Sequence, residues 1–520
     1  MTLSTLDLII VACYLLGLLL LAYQVSREKS GHAKGTNDYF LAGNSLPWWA
    51  IGASLIAANI SAEQIIGMSG SGYAIGLAIA SYEWMAAISL IIVGKYFLPV
   101  FLKRQIYTMP QFLQQRFDNR VRTTLALFWL AVYVLVNLTA VLWLGALAVN
   151  AVTGLALFES MLLLALLSLT YSLYGGLKAV AFTDIIQVVL LVAGGLFLSY
   201  VTLQQIGAGA GVLAGLDQLM LQAPDKFDMI LSPDHPHYAS LPGLSVLLGG
   251  LWVMNLSYWG FNQYIIQRAL AAKDLAEAQK GIVFAAFLKI LMPLIVVLPG
   301  IAAVLILPDL AKPDQAYPAL MNLMPSGIKG LIFAALVAAI LSSLASMTNS
   351  VATIFTMDIY RQLKPAASQQ HYVLVARLTG VGALLLALVT AKPLLGDFDQ
   401  AFQYIQEFTG FFTPGIVALF LLGMFWPRTT ANAALAAAIG SALLSLLAKQ
   451  FWPELPFMDR VGLVFLSCLL LAVLVTLAEQ KPVPATAVQL SDIRFDTKPA
   501  FNLAAVAVSL VVASFYYAWW

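Results

Sequence analysis

Charge is what this chain has least of. Only 10% of its 520 residues are charged, 61% are hydrophobic, and the mean hydropathy is +0.88. A soluble domain of this length needs far more polar surface. The composition excludes that class and identifies a polytopic membrane protein. The formal net charge of +2 by itself says nothing about nucleic acid, but no basic block that would bind it is present, and no nucleic-acid partner is expected. Cysteine is scarce as well. Cys13 and Cys468 lie in separate apolar runs, which excludes a disulfide framework and predicts a packing role for both. The four histidines, His32, His235, His237 and His371, fall in expected loops or near run ends, at no metal-ligand spacing. HExxH and nucleophile-elbow motifs are missing, so nothing points to an enzyme. Low-complexity tracts, short tandem repeats and a separate soluble domain are missing too.

What is present is apolar sequence in long runs. They predict about fourteen spans: 4–23, 46–71, 73–101, 123–153, 156–176, 180–206, 243–266, 279–308, 324–356, 371–394, 398–426, 430–450, 460–479 and 500–520. No Lys or Arg precedes the first run and no small-residue cleavage site follows it. A retained span is expected there rather than a secretory signal. An N-terminus outside the cell places roughly 18 Lys and Arg in cytoplasmic loops, Arg27, Lys29, Lys34 and Arg268 among them, against roughly 6 opposite. The 207–242 loop, outside in this orientation, is acidic, with Asp217, Asp225, Asp228 and Asp234 against Lys226 alone. The even span count returns the C-terminus to the outside. The chain reads as one multi-pass domain, 1–520, of the cell (inner) membrane, with the lipid bilayer as its partner and no obligate protein partner evident.

One segment is polar where lipid does not tolerate polarity. After the apolar residues 46–58 come Asn59, Ser61, Glu63 and Gln64, then Gly67, Ser69, Gly70, Ser71 and Gly72. Unsatisfied backbone and a buried charge each cost several kcal/mol in hydrocarbon, so such a segment belongs beside a cavity or a bound ligand. Asn255, Ser257, Gly260, Asn262 and Gln263 interrupt a second apolar run. The interrupted runs are the second and the seventh, five spans apart. Five spans per repeat is odd, so two such repeats face opposite ways across the membrane. The expected fold is an all-α LeuT-type core of two inverted five-helix repeats, 46–206 and 243–426, each with a broken first helix. The 4–23 span and the 430–520 spans are peripheral to it. This is the plan of a secondary transporter.

A helix break frees carbonyl oxygens, which are ligands for a hard cation such as Na⁺. Carbonyls of Ala57 and Ile60 flank the first break. Ala339, Ser342 and Ser343 share one face of the ninth span, and they fit either the same cation site, through a free carbonyl at Ala339, or close helix packing. Glu83 and Lys289 are ionisable residues deep in spans three and eight. They read as a mutually neutralising pair suited to sugar hydroxyls, or as a lysine that snorkels. Gln64, Asn255 and Gln406 add amides, and Tyr258 and Phe402 add flat faces. Asp184 follows Thr183 at the expected start of span six, as a helix cap or as a way-station for an exiting ion.

These residues carry a resemblance. The stretches 57–83 (AANISAEQIIGMSGSGYAIGLAIASYE), 174–184 (YGGLKAVAFTD), 259–271 (WGFNQYIIQRALA), 333–357 (FAALVAAILSSLASMTNSVATIFTM) and 402–410 (FQYIQEFTG) resemble the sodium/solute symporters, and within them the sodium/galactose and sodium/glucose-type cotransporters. The likeness runs through essentially the whole chain. It implies Na⁺ as coupling ion, held by backbone carbonyls of Ala57, Ile60 and Ala339 and by the hydroxyls of Ser342 and Ser343. It implies a small sugar bonded by Gln64, Glu83, Asn255, Lys289 and Gln406, with Tyr258 stacked on its ring as an inner gate held by Asn59. Met68, Tyr82 and Phe402 would form the outer gate, and Asp184 would assist Na⁺ release. Ala86 stands where galactose-transporting members have Ser, which leaves glucose or another hexose open. The other readings are a Na⁺ symporter for another solute, such as sialic acid, proline, another amino acid or iodide, and a transporter-like sensor.

Overall fold

Residues 3–26, 44–106, 108–174, 177–396 and 400–520 are described by a computed structural model. The basic residues Arg27, Lys29 and Lys34 of the first expected loop lie outside them, as do Gly175 and Gly176. Among the described residues every element is helical, apart from one isolated bridge between Leu46 and Ala272. Helix occupies each of the fourteen expected apolar runs. Among the described residues nine helices are individually long and apolar enough to cross a membrane, and two bent helix pairs pass the same test jointly.

Burial sorts these helices into a centre and a rim. The most apolar stretch of Ile328–Leu363 is 89% buried inside the protein, and that of Pro499–Ala518 only 22%. Ile328–Leu363 is therefore central. Gln369–Leu395, Ala431–Phe451 and Phe457–Glu479 resemble the rim helix and turn leucines such as Leu378, Leu443 and Leu470 outward. Exposed leucines along a helix suit hydrocarbon as neighbour. Cys468 is buried and donates to the Ala437 carbonyl (3.4 Å), a packing role. Cys13 departs from expectation: it is exposed on Thr5–Ser26.

The first break falls where polarity announced it. Trp48–Asn59 and Glu63–Ala74 meet at 61° across Ile60, Ser61 and Ala62. Glu63–Gly67 then winds as a π-helical turn, a common form at functional sites. The second interrupted run is kinked at Gly249. It winds Ser257–Phe261 into another π turn and opens at Asn262, which is extended. A further bend of 48° separates Ala401–Thr409 from Thr413–Phe425, inside a run expected to be continuous. Thr409, Gly410 and Phe412 carry no charge to mark it.

The glycines of the first broken segment serve packing more than unwinding. A Cβ on Gly72 would stand 2.8 Å from the Val297 carbonyl, and one on Gly300 2.1 Å from that of Ser69. Glu63–Ala74 and Leu298–Ile306 thus meet backbone to backbone, which only small residues permit. Both chain ends are fixed by their contacts. The Asp7 carboxylate accepts from the amides of Gly327 (2.7 Å) and Gly330 (2.9 Å). The Trp519 carbonyl accepts from Met229 N (2.8 Å), and Lys226 reaches the Ala74 carbonyl (2.8 Å). Desolvation there holds the Lys226 ammonium below its ordinary range. The segments around 74, 226 and 519 therefore share one side. The 207–242 loop also holds a helix, Val212–Gln222, which the acidic reading of that loop did not foresee.

Candidate functional site

Helix breaks, charges and amides converge on one cavity of about 80 Å³. Gln64, Glu83, Asn255, Tyr258, Lys289 and Gln406, the six residues expected to touch a sugar, all line it. Lys289 does not snorkel. It is fully buried, its Nζ lies 2.6 Å from Glu83 Oε2, and it also donates to Asn59 Oδ1. The ammonium stands 5.0 Å from the Trp259 ring centroid, a cation–π position. Asn59 in turn donates to the Tyr258 hydroxyl (3.1 Å), and Tyr264 donates to that same oxygen (3.2 Å). Asn255 donates back to the Leu251 carbonyl (3.2 Å).

Across the cavity Tyr82 and Phe402 meet edge to face, centroids 5.0 Å apart. Met68, grouped with them by sequence, does not line the cavity; its sulfur accepts from Gln64 Nε2 (3.1 Å). The cavity wall has members that sequence reasoning assigned no role: Glu63, Tyr133, Asn137 and Asn262. Glu63 was visible only as part of a polar run. Its neighbour Gln64 points into the same space because the π turn sets consecutive side chains closer in angle than an α turn would.

One helical turn from Gln64, the break rearranges its backbone bonds. In an unbroken helix the Ser61 and Gln64 amides would donate to Ala57 and Ile60. Instead Ser61 N donates to the Asn59 carbonyl (2.8 Å) and Gln64 N to that of Ser61 (3.1 Å). Ala57 and Ile60, both buried, thereby lose those donors. Ser343 Oγ is buried with no hydrogen-bond partner, an arrangement that costs stability unless a ligand completes it. Ala339 differs from expectation. It lies inside the continuous helix Ile328–Thr353, so no break releases its carbonyl.

Asp184 is no helix cap. It sits inside Leu177–Ile206, fully buried. It accepts from Ser54 (3.0 Å) and Ser342 (2.8 Å) and lies 3.5 Å from Arg268 Nη2. Arg268 was counted as a cytoplasmic loop charge; it is buried in Gln263–Leu270. A count of basic residues cannot reveal that. Its place just past the expected run end at 266 carried no signal of burial.

The family profile of the "Sodium:solute symporter family" matches residues 39–440, and this chain belongs to that family. It is 50% identical to the sodium/glucose cotransporter of Vibrio parahaemolyticus, across 100% of this chain and 99% of that one. It is 33% identical to sodium/myo-inositol cotransporter 2 of Mus musculus, across 85% of this chain and 69% of that one. Its fold is shared with a solved Na⁺-coupled sialic acid symporter in a substrate-bound outward-open state. The TM-score is 0.79 at 24% identity, over 92% of this chain and 99% of that one. The protein is a Na⁺-coupled solute symporter, a multi-pass membrane transporter and not an enzyme.

Proposed function

We propose that the protein drives a hexose, glucose or galactose, into the cell with Na⁺ by alternating access. The observation that carries this reading is the cavity's paired chemistry. Lys289 donates, Glu83 accepts, and Gln64, Asn255 and Gln406 do both, as ring hydroxyls also do. The two relatives above are named for a hexose and for a cyclic polyol, each dense in hydroxyls. Tyr258 offers the flat face and Asn59 holds it, with Tyr82 and Phe402 closing the other end and Met68 packed behind Gln64. In this reading Na⁺ is held by Ala57, Ile60, Ser342 and Ser343, joined by the second lone pair of the Ala339 carbonyl within its continuous helix, and Asp184 lies on its way out. The chain has fourteen spans, ten of them in two inverted repeats, 46–206 and 243–426, in the inner membrane with both ends outside. A second cavity of about 450 Å³, edged by Gln263, Gln267, Arg122 and Asp358, is the cytoplasmic release vestibule.

Ile60 and Gln64 are four residues apart across the break, so an ion that orders the break also sets the sugar-binding face. That makes the coupling reciprocal. One Na⁺ moving inward across 100 mV yields about 2.3 kcal/mol, enough for roughly fifty-fold accumulation. The test is uptake of labelled glucose and galactose into proteoliposomes with and without a Na⁺ gradient, with sialic acid, proline and myo-inositol as competitors. Uptake of a non-sugar in preference to both hexoses would replace this reading by the other-solute one.

A further inference from the structure

The buried Arg268 belongs to no site described so far, yet it touches the elements of both. Its Nε donates to Ser54 Oγ (2.9 Å), which itself donates to Asp184. Its Nη2 lies 3.5 Å from Asp184 and 3.5 Å from Ser346 Oγ, and its Nη1 donates to the Tyr264 carbonyl. One guanidinium thus joins Trp48–Asn59, Leu177–Ile206, Ile328–Thr353 and its own short helix Gln263–Leu270. Arg presents five donors in a fixed fork, so a shift of any one acceptor is felt by the others.

The contacts continue in both directions. Toward the ion site, Asp184 accepts from Ser342. A hydroxyl has one proton and two lone pairs, so Ser342 donates to Asp184 while its oxygen stays free to face a cation. A cation on that oxygen polarises the O–H and strengthens its bond to Asp184. Arg268 neutralises the far side of Asp184. Toward the sugar, Tyr264 donates to Tyr258, Asn59 donates to Tyr258, and Lys289 donates to Asn59 and Glu83. The contacts therefore run from Ser342 through Asp184 and Arg268 to the Tyr264 carbonyl, and from the hydroxyl of that same tyrosine through Tyr258 and Asn59 to Lys289.

We propose that Arg268 is a positioning residue that transmits Na⁺ occupancy at Ser342 to the Tyr258 end of the sugar cavity. It touches neither ligand. Its contribution is to the coupling between them, and it rests on the Na⁺–hexose reading above. A contiguous network earns that role only if the coupling itself is measured.

The readout is the ratio of hexose affinity at saturating Na⁺ to that in choline, taken with D-glucose and D-galactose on purified protein. Wild type should show a ratio above tenfold for one of them. Arg268→Gln should bring the ratio below about twofold, and Arg268→Lys should not restore it, since one ammonium cannot reach all four partners. Tyr264→Phe removes only the hydroxyl link to Tyr258. It should cut the ratio at least fivefold even if Arg268→Gln fails to fold. A ratio kept at the wild-type value in Tyr264→Phe, or in folded Arg268→Gln, overturns the proposal. A wild type without Na⁺-enhanced binding of either hexose overturns the hexose reading, and this proposal falls with it.

Discussion

Replacing Lys289 by Ala separates the ion pair that the structure shows from the sugar contact proposed above. The ammonium is fully buried between Glu83, at 2.6 Å, and Asn59. Truncation leaves a carboxylate in the membrane interior without its counter-charge. Removing one partner of a buried pair costs about 3–5 kcal/mol of stability. Ligand affinity suffers separately. A hydrogen bond to a charged group is worth about 1.5–3 kcal/mol. At about 1.4 kcal/mol per decade, losing the lysine's bond to a sugar hydroxyl weakens binding about 10- to 150-fold. The double variant Lys289→Ala with Glu83→Gln discriminates the two. It removes the stranded charge and should recover most of the lost stability, but it should not recover transport. Thermal unfolding in detergent reads the first effect and Na⁺-driven hexose uptake into proteoliposomes reads the second. A folded Lys289→Ala protein with uptake within twofold of wild type would make the pair purely structural. Restored uptake in the double variant would refute the donor role.

Three further outcomes are expected. Ser343→Ala deletes a buried hydroxyl that has no protein partner. Melting temperature should hold or rise, while the Na⁺ concentration for half-maximal uptake increases several-fold; unchanged Na⁺ activation would remove Ser343 from the ion site. Ala86→Ser adds a hydroxyl to the cavity wall. Galactose affinity should improve about 3- to 10-fold, the worth of one net hydrogen bond, as read by competition against labelled glucose. Gly300→Ala forces a Cβ to 2.1 Å from the Ser69 carbonyl. It should destabilise by about 1–3 kcal/mol or abolish folding, and an unaffected melting temperature would contradict the backbone-to-backbone packing.

Much of the site was legible because lipid makes polarity conspicuous. Asn59, Glu63 and Gln64 inside an apolar run have few reasons to be there, and the chain does break at Ile60. Glu83 and Lys289 stood out for the same reason, and they do pair. What stayed hidden was geometry that polarity does not encode. Arg268 sits near a run end, where arginines usually reach water, so only the fold shows that its helix turns it inward onto Asp184. Asp184 looked like a cap because the start of its helix was placed at 180, and the described helix resumes at Leu177. The bend near Gly410 carries no charge, and the Gly72 and Gly300 contacts depend on a neighbour far along the chain. Grouping Met68 with Tyr82 and Phe402 relied on resemblance. In the structure Met68 opens the helix after the π turn and its sulfur accepts from Gln64.

In the proposed transport cycle one unwound stretch of backbone ties an alkali ion to a polyol. Equilibrium sugar binding measured against Na⁺ concentration, together with Na⁺ binding measured against sugar concentration, tests it most directly. Each ligand should tighten the other by the same factor, well above unity. Independent affinities, with a factor indistinguishable from one in both directions, would contradict it.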